Sequence, residues 1–324
     1  MTTNEFFRYR ALVAGALLLA STAAWPATVI PIGSGFSSPY DVAVDSSGNL
    51  FVADTNNQMI KEVLAADNYA TIRTLAGGFA GPNGVAIDGN DNVFIAVDNA
   101  DAVQEIIAAE NYATVHTLGS GFFEPLGVAV DRRNGNVFVA DFGNSQVKEI
   151  LAAGGYTSVL TIGSGFANPQ GVAVDDNGNV FVGDTGNHAV KEILASSGYS
   201  TVRTLGSGFG FTDGVAVDAA GNVFVSDYGN HAVKEIFAAG GYTTVQTLST
   251  AFVVPSGIAV DSHGNVFVAD SGNNGVFEIL APAAALAAPA PMLEWNALLL
   301  LALGIAAIAG IQRMRISRSR STVT

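Results

Sequence analysis

The chain has 324 residues, enough for one large domain or two ordinary ones, and it has no cysteine. That excludes disulfides, thiolate metal sites and a cysteine nucleophile. Its net charge of −14 argues against a phosphate backbone as partner, and 49% hydrophobic residues with 13% charged and 37 glycines favour short strands and many turns over helices.

Residues 1–27 read as a secretory signal peptide. Arg8 and Arg10 form a short basic region, residues 11–20 an apolar core, and Ser21, Ala23 and Ala24 the small residues before a cleavage point near Ala23 to Ala27. This segment carries a net +1 and residues 282–324 a net +3, which leaves −18 on residues 28–281.

From residue 28 onward one sentence is repeated. GVAVD or a close variant begins at Asp41, Gly84, Gly127, Gly171, Gly214 and Gly257, with spacings of 43 or 44 residues. The extra residue lies in the turn Arg132-Arg133-Asn134-Gly135 of the third copy. The fourth copy shows the plan. Residues 171–175 form a first strand, Asp176-Asn177-Gly178 a turn, residues 179–184 a second strand, Thr185-Gly186-Asn187 a turn, residues 188–195 a third strand, and residues 199–205 a fourth. Four antiparallel strands in about 43 residues is one propeller blade. A blade has two apolar faces, and six in a closed ring bury them. The expected fold is therefore an all-β, six-bladed propeller over residues 28–281.

The ends of the array predict how the ring closes. The sixth copy stops after its third strand, and its missing phrase stands at the start, where Thr28-Val29-Ile30-Pro31-Ile32 precedes GSGF. Residues 28–32 are expected to form the outer strand of the last blade, paired with residues 276–281. Pro31 is compatible with an edge strand.

The motif P-x-GVAVD-x-x-GNVFVAD-x-x-N-x-x-V-K-E resembles the NHL repeat across residues 28–281. That resemblance implies the propeller fold and leaves function open, because such propellers include binding modules, sensor domains and a few lyases.

Several repeated residues read as structural. Asp54, Asp141, Asp184, Asp227 and Asp270 end the second strand, with an asparagine three residues later. A carboxylate there is expected to accept N–H groups across its own turn, as in an Asx-turn. A ring of Ca²⁺-binding carboxylates is the alternative, but the aspartates lie on separate blades and calcium needs convergent oxygens. The second copy has Val97 at that position, so its turn is expected to be the most irregular. The aspartates that end the first strand, Asp45 through Asp261, are expected to do the same work on the opposite face. Phe36 and its equivalents are expected to pack between blades. Tyr69 and its equivalents are expected to pack on the outer hairpin. Lysines such as Lys191 are expected to meet a neighbour across the strand pair or between blades.

Candidate chemistry is sparse. Six-bladed amidating lyases, which are similar in fold, hold zinc with channel histidines, and streptogramin-type lyases use catalytic histidines. The four histidines here are His116, His188, His231 and His263. His188 and His231 share a face on adjacent blades, at a radius on the order of 10 Å, which suits a surface patch better than a shared metal. No Ser-His-Asp set or phosphate loop is present. His188, His231, Tyr228 and Asn274 are the ligand-face candidates, on the side of the second-to-third turns and the blade connectors. No cofactor, metal or catalytic residue is expected, although a divalent cation fits the alternative of a lyase or lactonase in the channel. The expected partner is a protein, peptide or polysaccharide, bound by a monomeric propeller.

The C-terminus reads as an address. Residues 282–294 form an Ala/Pro linker, residues 295–312 are expected to form a transmembrane segment around the apolar run Ala297 to Ile311 that follows Trp295, and residues 313–324 form a basic tail expected to stay in the cytoplasm. Pro291, Leu293, Glu294 and Trp295 resemble the bacterial sorting tails that begin Ile-Pro-Thr-Leu, with Met292 in the threonine position. The resemblance implies a sorting peptidase as partner and an exported, membrane-anchored protein at the cell envelope.

Overall fold

A computed structural model describes residues 28–281, and the predicted signal, linker, membrane and tail segments lie outside them. The described residues form six four-stranded antiparallel sheets. Blade four is representative, with strands Pro169–Val174, Val180–Asp184, Ala189–Ile193 and Val202–Leu205. The first strand of each blade is innermost, and successive first strands approach one another around a central channel.

The ring closes as the permuted sequence demands. Val29–Ile32 is the outer strand of the last blade and pairs antiparallel with Gly275–Ile279, with Val29 opposite Ile279 and Ile32 opposite Val276. The segment also seals two cores. Ile32 packs in the cluster that joins blades six and one, and Val29 packs against the cluster that joins blades five and six.

Alternation makes these cores. Second strands such as VFVGD are buried on both sides because each lies inside the ring between two blades. The connector phenylalanines behave as expected, with Phe36 buried among residues of blades six and one. The tyrosines also reach the preceding blade. Tyr199 takes a left-handed φ of 61° after Gly198 and meets Phe138 of the preceding blade edge to face, 5.7 Å between ring centroids. The turn that holds it leaves the ring nearer the neighbouring blade, and Tyr69, Tyr156 and Tyr242 make the same kind of contact.

Glycine opens the inner wall. A Cβ on Gly127 would lie 2.3 Å from the carbonyl oxygen of Gln170, and one on Gly171 2.3 Å from that of Asp213. Bare backbone is what lets neighbouring first strands pack this closely. Blade one departs from the rule, because Asp41 stands where the other five blades have glycine.

Candidate functional site

The face carrying the second-to-third turns is built on the repeated aspartates, though not as Asx-turns. In blade four the turn is a short 3-10 segment, Thr185–Asn187, that receives no side-chain cap from Asp184. The Asp184 carboxylate instead accepts the backbone N–H of Ala167 in the connector, the side-chain amide of Asn187 and the Lys191 ammonium, at 2.7, 2.7 and 2.5 Å. Lys191 also donates to the carbonyl of Gly165 and lies over the Phe166 ring. Asp54, Asp141 and Asp227 repeat this arrangement. The strand geometry explains the difference, since the carboxylate at the strand end points past its own turn toward the connector. The aspartates that end the first strands do make Asx-turns: Asp175 accepts the N–H groups of Asn177 and Asn179 at 2.9 and 2.7 Å.

Blade two keeps a regular turn despite Val97. Its 3-10 segment, Asp98–Ala100, ends in a left-handed Asp101 as the others end in Gln58, Ser145 and His188. Backbone bonds hold the connector instead, from Asp98 N–H to the Gly81 carbonyl and from Asn99 N–H to the Ala80 carbonyl, at 3.0 and 3.1 Å. Gln104 replaces the lysine there, so the acid and its counter-ion are lost together. Blade six has Phe277 at the lysine position, and its Asp270 accepts two connector N–H groups, from Val253 and Val254.

In five of the six blades the side chain after the turn is a latch to the next blade, which sequence reasoning missed for the histidines. Asp101 accepts the N–H of Glu124, Ser145 that of Asn168, and Asn274 that of Ser38, each on the next blade around the ring. His188 and His231 make the corresponding contacts through Nδ1, to the carbonyls of Gly210 and Val253, both at 2.6 Å. A carbonyl only accepts, so Nδ1 carries a hydrogen in each ring.

These contacts gather an aromatic row on blades four and five. His188 lies 4.9 Å from the Phe211 ring, Phe211 6.1 Å from Tyr228, and Tyr228 6.4 Å from His231, centroid to centroid. Phe211 is 46% and Tyr228 40% exposed. Three of the four residues expected on the ligand face thus come together, with Phe211 added. Asn274 serves the latch between blades six and one, apart from the row.

A second constellation lies in the channel. Tyr40 of blade one reaches across the axis, its hydroxyl 3.3 Å from the side-chain amide of Gln170 in blade four. The Tyr40 hydroxyl also donates to the carboxylate of Asp213 in blade five, and the Gln170 amide nitrogen, turned toward that carboxylate, donates at 2.8 Å. Asp41 accepts the N–H groups of Val42 and Val85 at 2.8 and 2.9 Å. Burial pushes Asp41 up to about 7, against the pull of its two backbone donors. Burial and then the charge of Asp41 push Asp213 up to about 7. Burial and the charge of Asp213 hold the Tyr40 phenol well above its ordinary range. Asp41 retains some accessible surface because the channel itself is beside it, whereas Asp213 is 6% exposed. The sequence held one clue to this cluster, an acid in a glycine column. Among the described residues no three His, Asp or Glu side chains are placed to hold a metal ion.

Comparison with known proteins agrees on the architecture. The NHL repeat profile matches residues 36–61, 122–150, 166–193 and 252–278. The chain carries NHL repeats in a six-bladed propeller. No curated protein matches it in sequence. Among solved structures it is similar to a gluconolactonase from Xanthomonas campestris, at 15% identity and a TM-score of 0.68, over 81% of this chain and 93% of the other. It is also similar to a chain of a nidogen/laminin complex, at 18% identity and TM-score 0.62, over 71% and 88%. A streptogramin B lyase aligns at 12% identity and TM-score 0.58, over 79% and 99%. At these identities the likeness is one of fold.

Proposed function

We propose that this propeller is an exported, non-catalytic binding module of the cell envelope, with a polysaccharide ligand on the face of the second-to-third turns. The observation that carries the reading is the exposed row His188, Phe211, Tyr228 and His231. Its rings offer apolar faces with polar edges, which suits a ligand that is apolar on one side and hydroxylated on the other. Export rests on the signal-like residues 1–27, and envelope anchoring on the sorting-like tail from Pro291 to Trp295. No helix of the described residues is long and apolar enough to cross a membrane, and the apolar run of residues 295–312 lies outside them.

Affinity electrophoresis of the domain against a panel of soluble polysaccharides tests the ligand side. Retardation by at least one polymer, weakened about tenfold or more in Phe211→Ala, supports the reading. Phe211 is exposed, so its removal is expected to shift stability by no more than about 0.5 kcal/mol. Equal retardation of Phe211→Ala would place the ligand elsewhere.

A second reading, a lyase or lactonase in the channel, has the convergence of Tyr40, Asp41, Gln170 and Asp213 in its favour. A metal-dependent form of it needs three or four convergent ligands, a condition the two channel acids do not meet. Assay of the domain for lactone hydrolysis separates the two readings.

A further inference from the structure

We propose that the central channel ends in a binding site for a single primary ammonium group, held between Asp41 and Asp213. This site is independent of the aromatic row.

The channel has the shape for it. From the face of the first hairpins, near Asp131 and Asp175, a funnel of about 270 Å³ leads inward between the first strands. It continues past the ring of Val42, Val128 and Val215 into a throat of about 60 Å³, lined by Tyr40, Asp41, Gln170 and Asp213. A water needs about 10–15 Å³ measured this way, so the throat has room for an ammonium and the start of its stem. The Tyr40 side chain, spanning the axis from blade one to blade four, bars the way beyond it.

The charge of the molecule leaves the throat without a counter-ion. Residues 28–281 hold eight basic side chains. Lys61, Lys148, Lys191 and Lys234 are paired with second-strand aspartates, and Arg73, Arg133 and Arg203 with Glu62, Asp131 and Glu192. Arg132, which makes none of these ion pairs, lies at the funnel mouth. The throat holds no Lys, Arg or His, and its two carboxylates have neutral donors only: two backbone N–H groups on Asp41, and Tyr40 and Gln170 on Asp213. Two buried acids that repel each other need a proton or an outside cation to become neutral. Two carboxylates are too few for Ca²⁺, which takes six to eight oxygens. An ammonium is a compact charge with three donors, and the two carboxylates supply its acceptors.

Isothermal titration calorimetry of the domain at pH 8 with n-butylammonium chloride, and with n-butanol as the uncharged control, tests the site. The expected result is binding of n-butylammonium and not of n-butanol, with affinity reduced at least tenfold in Asp41→Asn and in Asp213→Asn and unchanged in Phe211→Ala. Leu126→Lys, which supplies an ammonium from the throat's own wall, is expected to abolish uptake. It gives a reading even if an Asn variant fails to fold. Absence of n-butylammonium binding to the folded wild type, equal binding of n-butanol, or full affinity in Leu126→Lys would overturn the proposal.

Discussion

The Asp184 carboxylate accepts the backbone N–H of Ala167, seventeen residues earlier, while its other oxygen receives the Lys191 ammonium. One side chain therefore ties the connector, the turn and the third strand of a blade. Asp184 is fully buried and Lys191 nearly so. Asp184→Val is expected to cost about 3–5 kcal/mol, because it leaves a buried ammonium and a connector N–H without their acceptor. Blade two shows a tolerated solution, Val97 with Gln104. The double variant Asp184→Val with Lys191→Gln is thus expected to recover part of the loss. Urea denaturation of both single variants and the double variant measures the coupling. Additive losses would mean that the two residues act separately.

The seam is the second test. Ile32 is buried where the N-terminal strand meets the cluster between blades six and one. Ile32→Ala is expected to cost about 2–5 kcal/mol, as other large-to-small core changes do. Removal of residues 28–32 should do more, since it also exposes the edge of the third strand, Gly275–Ile279. Hydrogen exchange gives the local reading: the Leu280 amide, which donates to the Thr28 carbonyl at 3.1 Å, should lose protection in the truncated chain. Protection at the wild-type level would show that the ring closes without that strand.

The seam was legible because a missing strand and a surplus strand stand at opposite ends of one period. The blades were legible because turn glycines and alternating valines recur every 43 or 44 residues. The roles of individual side chains were not. Asp175 and Asp184 each stand at a strand end before a turn, yet only Asp175 caps its turn. Which carboxylate reaches which N–H depends on where the connector lies, and that is tertiary. The channel cluster is harder still to read, since Tyr40, Gln170 and Asp213 are 130 and 43 residues apart in sequence and meet only because the ring closes. The histidines drew attention by rarity, but His188 does the work that Ser145 and Asn274 do in other blades.

The channel acids give a pH test. Asp41 and Asp213 are pushed from 3.8 to about 7, and burial raises Glu235 from 4.5 to about 7. Between about pH 4 and pH 7 the folded protein then binds more protons than the unfolded chain, so stability falls as pH rises through that window. Above it the loss is complete. Asp131, whose carboxyl is held down by Arg133, acts in the opposite sense and only below its ordinary range. The expected result is a higher melting temperature at pH 5 than at pH 8, with a smaller difference in Asp213→Asn. The two acids titrate as a pair, so the slope belongs to both. A flat profile across this window would contradict the placement of these acids.

The glycine column makes the last prediction, and it separates close packing from chain flexibility. Gly127 has no left-handed φ, so alanine is compatible with its backbone conformation. Its Cβ, however, would lie 2.3 Å from the Gln170 carbonyl of the next blade, which has no room to move without opening the ring. Gly127→Ala is therefore expected to destabilise by about 1–3 kcal/mol through overpacking. Blade one has already accommodated a side chain at this position, with Asp41 anchored on Val42 and Val85. Asp41→Gly removes that anchor but also removes a buried charge that its surroundings leave without a cation. At pH 8 the second effect should offset the first, so Asp41→Gly should cost less stability than Gly127→Ala. Thermal melts of the two variants at that pH decide the order. A greater loss in Asp41→Gly would mean that the bonds to Val42 and Val85 hold blades one and two together more strongly than the buried charge weakens them.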